Sequence, residues 1–441
     1  MPLWMRLIAR PQLDAGKRKS VMYILYNVIL VVATMLVSPY FLFKALTVPK
    51  YRGGLTQKLG RIRKGVLRVL NGSRPIWIHA VSVGEVMAAH PLVRELKKRY
   101  PDRKIILSTV TVTGNYTAKQ RVPEADAVFF FPFDYPWIVR RVISRINPAI
   151  VLIAETELWP NFFRELRRKG IPSAVVNGRI SPRSFGNYLK FKRFFSEVFQ
   201  NVTLFCMQSD EDAERIKEIG APVERVVVTG NLKFDQKIPP IQAPPVAIQS
   251  GRPVITAGST HRGEEAILLD IFTRLRKKYP MLLLIVAPRH PERFDEVSGL
   301  ITNAGFECQR RSTLKGAVRD VLLLDTIGEL RAFYAVCDVS FVGGSFVKVG
   351  GHNILEPAAM KKPVIFSRYM FNFKEISEAI IKAEGGFVVR DKEELYLKLD
   401  NLLSNKELAA AMGAKAFAVI AANSGATART LDKISGIISD T

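Results

Sequence analysis

The chain has 441 residues, and its 65 Lys and Arg against 40 Asp and Glu give a formal net charge of +25. Hydrophobic residues make up 48% of the sequence and charged residues 24%, a globular balance that excludes wholesale disorder. Residues 1–250 carry 39 basic and 18 acidic side chains, whereas residues 251–441 carry 26 and 22. This excess favours an acidic partner, and it leaves nucleic acid, anionic lipid and phosphorylated substrates open. The three cysteines are far apart in sequence, which argues against a disulfide framework and favours a reducing compartment.

The N-terminal region contains 24 consecutive positions without a charged side chain, residues 20–43. About 20 helical residues cross a hydrocarbon core of ~30 Å, and the stretch is longer than the apolar region of a signal peptide. The pattern predicts a membrane anchor helix over 22–47, preceded by a basic extension over 1–21. Asn27 and Pro39 interrupt the apolar run and leave a half-inserted or interfacial helix open. Basic residues flank both ends, more heavily after the helix, which predicts a cytoplasmic body and contacts with anionic inner-membrane lipids.

Short apolar runs alternate with amphipathic stretches in two further regions, 48–236 and 254–420. Alternating strands and helices predict an α/β fold with two Rossmann-like, parallel-sheet domains. Five prolines between 237 and 253 predict a linker, and 421–441 form a C-terminal tail that we expect to pack back on the first domain. The predicted strands are 76–81, 104–109, 149–154, 173–176, 203–207 and 226–229, then 254–257, 282–286, 321–324, 339–342 and 363–366.

The two predicted domains begin alike, with a strand, a small polar loop and a helix that starts at Gly-Glu. In the first domain this junction places His79, Ser82 and Glu85 at the carboxyl end of a strand, where ligands bind in open α/β sheets. A carboxylate there can cap the helix, act as a general base at a cleft, or do both. The end of a later strand, 149–154, adds Glu155 and Glu157 as further candidates, with a capped loop as the alternative interpretation.

Strand ends also supply candidate anion ligands. Arg179 and Arg183 follow one strand of the first domain, and guanidinium groups suit carboxylates or phosphates, with a solvated basic loop as the alternative. In the second domain, glycines and a helix starting near Asn353 predict a phosphate site, and Glu356 is placed to accept from ribose hydroxyls. The full set there is Ser259, His261, Arg289, His290, Gly344, Ser345, Gly351, His352, Asn353 and Glu356.

The sequence lacks the motifs that identify several common classes of enzyme and metal site. Neither a Walker-type GxxxxGK[ST] nor a GxGxxG motif occurs, which argues against P-loop hydrolysis and Rossmann redox chemistry. Four of the five histidines fall in strand-end loops, but the sequence has no His-x-x-x-His pattern, so hydrogen bonding is favoured over metal binding.

Seven motifs occur in an order that resembles the 3-deoxy-D-manno-octulosonic acid (Kdo) transferases of lipopolysaccharide synthesis, from about residue 22 to the C terminus. They are HAVSVGE at 79–85, ETELWP at 155–160, NGR at 177–179, SPR at 181–183, GNLKFD at 230–235, PRHPER at 288–293 and GGHNILEP at 350–357. The resemblance implies a GT-B architecture of two facing domains, the first for the acceptor and the second for the nucleotide, anchored at the inner membrane. It also implies transfer of Kdo from CMP-Kdo to the lipid A precursor, lipid IVA, without a metal cofactor.

Carried over by motif, the resemblance makes Glu85 the base that deprotonates the acceptor hydroxyl during an inverting attack. It associates 288–293 and 350–356 with CMP-Kdo, and charge assigns Arg289 to its phosphate and Arg179 and Arg183 to the Kdo carboxylate or acceptor phosphates. Family members commonly begin near Met22, so residues 1–21 are either an extension or an early start.

Two alternatives stay open at this stage. One is another GT-B sugar-nucleotide transferase, such as a lipid A disaccharide synthase. The other is a non-catalytic basic protein that binds nucleic acid at the membrane, which no aromatic-interleaved motif supports. We therefore expect no nucleic-acid partner, and the sequence indicates no obligate protein partner.

Overall fold

The chain folds into two units, which we describe from a computed structural model over residues 10–47, 54–236, 246–314 and 316–439. Residues 1–236 and 424–441 form the first unit, and residues 237–423 form the second. Part of the predicted linker, 237–245, and the first nine residues of the predicted extension lie outside the described residues.

The first unit is built on a seven-stranded sheet with the order β3-β2-β1-β4-β5-β6-β7 and parallel pairing throughout. Its central strands are buried at every position, because helices cover both faces of the sheet. The strands are β1 (Ile76–His79), β2 (Ile105–Thr109), β3 (Ala127–Phe130), β4 (Ile150–Ala154), β5 (Ser173–Gly178), β6 (Leu204–Met207) and β7 (Val226–Val228).

A long N-terminal helix precedes this sheet, and a C-terminal helix returns to it. The helices of the first unit are α1 (Arg10–Thr47), α2 (Leu55–Lys58), α3 (Lys64–Leu70), α4 (Val83–Arg99), α5 (Val112–Arg121), α6 (Pro136–Ile146), α7 (Pro160–Arg168), α8 (Pro182–Lys190), α9 (Lys192–Phe199), α10 (Asp210–Ile219) and α18 (Ala426–Ser439). Asp235 fixes the start of α18, because its carboxylate accepts from the backbone N–H groups of Gly425 and Thr427. The buried face of α18 joins the core formed by β1, β2 and α4.

The second unit repeats this plan with the strand order β10-β11-β9-β8-β12-β13-β14, again parallel. Its strands are β8 (Val254–Thr260), β9 (Leu283–Pro288), β10 (Cys308–Arg310), β11 (Val321–Leu323), β12 (Val339–Val342), β13 (Val364–Ser367) and β14 (Gly386–Val389). Its helices are α11 (Glu264–Lys278), α12 (Phe294–Asn303), α13 (Leu330–Val336), α14 (Leu355–Ala359), α15 (Lys374–Lys382), α16 (Lys392–Ser404) and α17 (Lys406–Asn423).

The structure contains every strand that the sequence predicts and three that it does not, β3, β10 and β14. All three lie at sheet edges and are only partly buried. β10 (CQR) has no apolar run, whereas β3 (AVFF) and β14 (GFVV) are apolar but only four residues long, and so short a run does not by itself identify a strand. The helix predicted to start near Asn353 begins instead at Leu355 and has five residues.

In both sheets the first strand lies at the position where the strand order reverses. β1 pairs with β2 and β4, and β8 pairs with β9 and β12. Connections leave such a pair in opposite directions, so a crevice forms beyond the carboxyl ends of the two strands. Each unit therefore has one favoured ligand position, after β1 and β4 in the first and after β8 and β12 in the second.

Two segments of the described chain are long and apolar enough to cross a membrane. One is Val21–Tyr40 in α1, with a mean hydropathy of 2.2, and the other is Lys406–Ile438, which comprises α17 and most of α18. The second segment supplies core residues to both units, for example Met412 and Ile434. The first is the one that corresponds to the predicted anchor.

Candidate active site

Glu85 lies in the first turn of α4, in the crevice of the first unit. Its carboxylate accepts from the backbone N–H of Val81 (2.7 Å) and from the hydroxyl of Ser82 (3.0 Å). The residue is only 9% exposed. Glu85 thus binds the loop that precedes its helix, as a capping residue does, and retains two acceptor lone pairs beyond these bonds.

The surroundings of Glu85 favour its protonated form. Burial raises its pKa to about 7, and the negative charges of Glu155 and then Glu157 add to this effect. Burial also raises the pKa of Glu157, with Glu155 again contributing. Since Glu155 and Glu157 follow β4, the loops after β1 and β4 together form a carboxylate cluster. A carboxylate whose pKa lies near the working pH is well suited to act as a general base, because it is partly ionised and basic enough to accept a proton.

Glu155 is held in an uncommon conformation beside this cluster. Its φ is +57°, in the left-handed region that residues other than glycine rarely occupy. One carboxylate oxygen lies 3.5 Å from the ammonium nitrogen of Lys233, whose side chain is only 13% exposed. The sequence interpretation gave Lys233 no role, although it lies within the GNLKFD segment between the buried Leu232 and Phe234. The feature of the sequence that could have indicated a site role for Lys233 is its position between two apolar residues.

His79 does not contribute to this site as expected. It is completely buried, its ring stacks on that of Phe131 at a centroid distance of 3.8 Å, and Nδ1 contacts the Ser108 carbonyl and hydroxyl oxygens. Burial lowers its pKa to about 3, so the ring is neutral. His79 is a core residue in this structure, and its position does not support contact with an acceptor. Ser82, by contrast, lies in the crevice and donates to Glu85.

The two arginines after β5 have different positions. The backbone N–H of Arg179 donates to the Thr156 hydroxyl (2.9 Å), which donates in turn to the Arg179 carbonyl (2.6 Å). This reciprocal pair joins the loop after β5 to the carboxylate-bearing loop after β4. Arg183 lies in the first turn of α8 and is exposed, so the structure brings only Arg179 beside the cluster.

Glu264 occupies the equivalent position in the second unit, yet its environment is different. It accepts from four backbone N–H groups: those of His261 (2.9 Å), Gly344 (2.7 Å), Ser345 (3.0 Å) and Phe346 (2.9 Å). Burial raises its pKa, while the four N–H bonds oppose that effect. The carboxylate therefore occupies the anion position that the glycine-rich loop offers.

This finding corrects part of the sequence interpretation. The backbone N–H groups of His261, Gly344 and Ser345 are engaged by Glu264, so they are not free for a phosphate. Ser345 is fully buried, and its hydroxyl donates to the Val342 carbonyl. Gly344 and Ser345 thus stabilise the conformation of the loop through internal hydrogen bonds. Ser259 has a φ of +55° and turns the chain at the end of β8.

Three histidines meet above this loop. Nε2 of His261 lies 2.8 Å from Nε2 of His352, the two rings are nearly parallel, and the ring of His290 lies 5.2 Å from that of His261. Burial lowers the pKa of His352 to about 3, and the positive charge of Arg289 contributes. The pKa of His261 is lowered by burial and by His290. Both rings of the close pair are therefore neutral, with one Nε2–H donating to the other nitrogen.

Gly344 makes room for this pair. Its φ is +68°, and a Cβ there would lie 2.9 Å from Cδ2 of His352. Gly351, at a φ of +74°, donates its N–H to the Gly344 carbonyl (2.9 Å). The two glycines therefore bring the loops that carry His261 and His352 together.

Glu356 is linked to two other side chains at the start of α14. Its carboxylate accepts from the Asn353 amide at 3.2 Å and lies 3.6 Å from the Arg331 guanidinium. Burial raises its pKa, and Arg331 opposes this. Arg331, in α13, was not predicted as a site residue. Asn353 uses its carbonyl oxygen to accept from the Leu355 backbone N–H.

Among the described residues, no group of three or more His, Cys, Asp or Glu side chains is arranged to hold a metal ion. In the second unit, the positive charge of Arg289 acts on both His352 and Glu356, and Arg331 contacts Glu356 directly.

Comparisons with known proteins agree with this arrangement of two sheets and two crevices. Residues 53–236 match the family model for 3-deoxy-D-manno-octulosonic-acid transferase, and residues 257–419 match that for glycosyl transferases group 1. The chain is 36% identical to the 3-deoxy-D-manno-octulosonic acid transferase of Haemophilus influenzae, covering 92% of this chain and 96% of that protein. It is 36% identical to the Bordetella pertussis transferase over 82% of this chain and 86% of that protein.

Solved structures show the same fold at low sequence identity. A glycosyltransferase from Rickettsia africae superposes with a TM-score of 0.53 at 16% identity, covering 84% of this chain and all of that one. The UDP-GlcNAc 2-epimerase of Neisseria meningitidis gives 0.54 at 13% identity over 83% of this chain and all of that one. The expected pair of parallel-sheet domains of the GT-B class is confirmed. The chain therefore belongs to the 3-deoxy-D-manno-octulosonic acid transferase family and is a glycosyltransferase.

Proposed function

We propose that this enzyme transfers Kdo from CMP-Kdo to lipid IVA with inversion at the anomeric carbon, and that Glu85 is the general base. The observation that carries the assignment is the Glu85 carboxyl group in the crevice of the first unit, with its pKa raised to about 7 beside Glu155. Near neutral pH such a group has an ionised fraction that can accept a proton and a basicity that makes the transfer effective.

The reaction couples one proton transfer to one exchange of bonds. Glu85 accepts the proton of the acceptor hydroxyl while that oxygen forms a bond to the anomeric carbon of Kdo. The bond between this carbon and the phosphate oxygen of CMP breaks, and its electron pair leaves with CMP. Arg179, at the loop beside the carboxylate cluster, is placed to attract the Kdo carboxylate or an acceptor phosphate.

The second unit supplies the groups for the donor. Arg289 and the His261–His352 pair are proposed to bind the phosphate. A guanidinium donates to phosphate oxygens, and the ring whose Nε2 accepts within the pair keeps an Nδ1–H as a further donor. Glu356, held by Asn353 and Arg331, is proposed to accept from the ribose hydroxyls. We propose that these cationic and hydrogen-bonding groups stabilise the leaving phosphate without a metal ion.

We further propose that the enzyme works at the inner membrane, with its two catalytic units on the cytoplasmic side. The exposed apolar residues of α1 support membrane attachment. The basic surplus of residues 1–250 supports binding of anionic lipids and of a phosphorylated lipid acceptor.

The direct test is incubation of the purified full chain with CMP-Kdo and lipid IVA, followed by mass spectrometry of the lipid. We expect mass increments of one or more Kdo residues, unchanged after treatment with a chelator, and no increment with Glu85→Gln. Product with UDP-linked sugars but none with CMP-Kdo would instead identify another GT-B transferase. Absence of any transfer, together with duplex binding that weakens steeply with salt, would favour the nucleic-acid alternative.

A further inference from the structure

The N-terminal helix α1 is attached to the first unit near its start. Tyr26 donates its hydroxyl proton to Asp134 (2.9 Å), and the Asn161 amide donates to the Asn27 side-chain oxygen (2.7 Å). Tyr23 is only 4% exposed and accepts at its hydroxyl from the Asn201 amide (3.0 Å). These contacts place one turn and a half of α1 directly on the catalytic body.

The Asp134 site shows that this attachment is built into the core. Asp134 is 3% exposed and also accepts from the backbone N–H groups of Asn161 (3.0 Å) and Phe162 (2.8 Å), which begin α7. The ring of Tyr26 stacks on Phe194 in α9 at a centroid distance of 5.6 Å. Tyr23, Tyr26 and Asn27 are therefore attached to the folded unit. Their face of α1 stays against the unit, because breaking these hydrogen bonds would leave buried polar groups without partners.

The contact continues further along the helix. The Tyr135 hydroxyl donates to the hydroxyl of Thr34, two turns beyond Asn27. Tyr23, Asn27 and Thr34 are separated by four and seven residues, so they share one face of α1. The helix thus runs along the unit over about 16 Å.

The chain after α1 returns to the same unit. The Gly54 main chain fits against the ring of Phe130, since a Cβ at Gly54 would lie within 2.0 Å of it. The Gln57 side chain accepts from the Phe130 backbone N–H (2.8 Å), and the Lys58 carbonyl accepts from that of Phe133 (2.8 Å). Both the start of α1 and the segment that follows it are therefore attached to one body.

Chain geometry then excludes a full crossing. The seven Cα–Cα steps from Thr47 to Gly54 reach at most about 25 Å, whereas the hydrocarbon core is about 30 Å thick and the whole bilayer ~40–45 Å. A return strand through acyl chains would also leave its backbone groups without hydrogen-bond partners. Thr47 must therefore lie on the same side of the core as Gly54, which is also the side of residues 23–27.

The opposite face of α1 is apolar and exposed. Its exposed aliphatic residues recur at helical spacing and are each 49–76% exposed: Val21, Ile24, Leu25, Val28, Ile29, Val32, Met35 and Leu36. Next to the Thr34 contact, the ring of Trp137 lies 4.9 Å from that of Tyr135 and is 63% exposed. Arg140 and Arg141 follow Trp137 on the same face of α6 and are exposed. Aliphatic residues flanked by Trp and Arg are typical of a surface that enters one leaflet at the headgroup boundary.

We propose that α1 does not cross the bilayer but lies in one leaflet along the first unit, with its aliphatic face among acyl chains and both ends on the side of the catalytic units. The occupant of this face is a phospholipid leaflet. The charge on the adjoining surface favours this choice. Arg141 is exposed, and Arg140, which lies 4.0 Å from Glu165, still has a side chain that is 63% exposed toward anionic headgroups. The proposal rests on the membrane association proposed above and specifies its geometry.

Cysteine labelling tests the topology in the full chain. Cys308→Ala removes the partly exposed native thiol, while Cys206 and Cys337 are buried. Single cysteines are then introduced before Met1, at Thr47→Cys and, as the control for the catalytic side, at Lys64→Cys. We expect a membrane-impermeant maleimide to label all three in inverted vesicles and none in intact spheroplasts. Labelling of the N-terminal cysteine from outside the spheroplast would overturn the proposal.

Depth measurements provide the second test. The variants Val28→Cys and Met35→Cys are each labelled with an environment-sensitive fluorophore. They are then bound to vesicles of phosphatidylethanolamine and phosphatidylglycerol that contain lipids with a nitroxide quencher either near the headgroup (shallow) or near the end of the acyl chain (deep). We expect stronger quenching by the shallow nitroxide at both positions. Stronger quenching by the deep one at either position, or cross-linking between copies without quenching, would overturn the proposal. Flotation and Kdo transfer measured on the same samples report separately whether membrane association or catalysis has failed.

Discussion

Replacing Glu85 by Gln should slow transfer by orders of magnitude and, at the same time, stabilise the protein in alkaline solution. Gln keeps the shape of the side chain and an oxygen that accepts the Val81 N–H, so the main change is the loss of the carboxylate charge. Loss of a general base lowers the rate by about 10²–10⁴-fold. We expect CMP-Kdo affinity to remain at the parental value, because Glu85 lies in the first unit.

The stability effect follows from the raised pKa. The pKa rises from an ordinary value of 4.5 to about 7 in the folded protein, so ionising Glu85 at pH 8 costs the folded state roughly 3 kcal/mol. The stabilisation from the protonated carboxyl group is complete below about pH 4.5 and is lost as the pH rises through about 7. Glu85→Gln escapes this loss, and its melting temperature at pH 8 should exceed that of the parent by roughly 6–12 °C at most.

Glu264→Gln is the matched control, because Glu264 has the equivalent place in the second unit. Its two oxygens accept four backbone N–H groups, and an amide nitrogen in place of one oxygen faces two donors. Leaving two buried donors unpaired costs about 2–6 kcal/mol, so this variant should melt below the parent at both pH 5 and pH 8. Thermal melts at the two pH values and transfer assays check both variants. A Glu85→Gln enzyme with the parental rate, or with the same melting difference at both pH values, would refute the reasoning.

Three further substitutions have expected outcomes. Lys233→Met removes the cation 3.5 Å from Glu155, so the acidic limb of the pH–rate profile should move to higher pH, and an unmoved limb would show that Lys233 does not act on the carboxylates. Gly344→Ala places a methyl group 2.9 Å from the His352 ring, at a residue whose backbone has a left-handed conformation. The KM for CMP-Kdo should therefore rise more than kcat falls. A larger effect on kcat than on KM would show that His352 does not bind the donor. Asp235→Asn weakens the cap of α18, and calorimetry should show a loss of about 1 kcal/mol with transfer intact at a temperature below the transition.

The sequence was most informative where an element is both buried and central. Continuous apolar runs revealed the central strands of both sheets, and the polar residues at their carboxyl ends indicated Glu85, Glu155 and Glu157 as separate site candidates. That these carboxylates act on one another was found only in the structure. β3, β10 and β14 were missed because they have only three or four residues each, and because β10 contains no apolar run. Residue type and position along a strand are therefore enough to find the crevice.

The sequence did not reveal which polar groups form hydrogen bonds or ion pairs with one another. The pattern around Gly344 indicates an anion site, but the anion that occupies its N–H groups is the chain's own Glu264. His79 ends a strand like a site residue, yet its ring turns into the core against Phe131. Lys233, in the segment after β7, and Arg331, in α13, belong to the two sites although the sequence interpretation gave neither residue a role. These outcomes depend on side-chain direction and on partners distant in sequence, neither of which local periodicity specifies.

The two Gly-Glu junctions show how one structural position can serve two purposes. In the second unit the loop after β12 presents backbone N–H groups to Glu264, and that carboxylate is fully engaged in holding the loop. In the first unit the corresponding loop after β4 presents Glu155 and Glu157, so Glu85 faces like charge instead of donors. The same helix-terminal carboxylate is thus stabilised in one unit and left reactive in the other. Because the difference lies in the facing loop, replacing Glu155 by a neutral residue should lower the pKa of Glu85. Glu85 would then be a weaker base and transfer would be slower, even though Glu85 itself is unchanged.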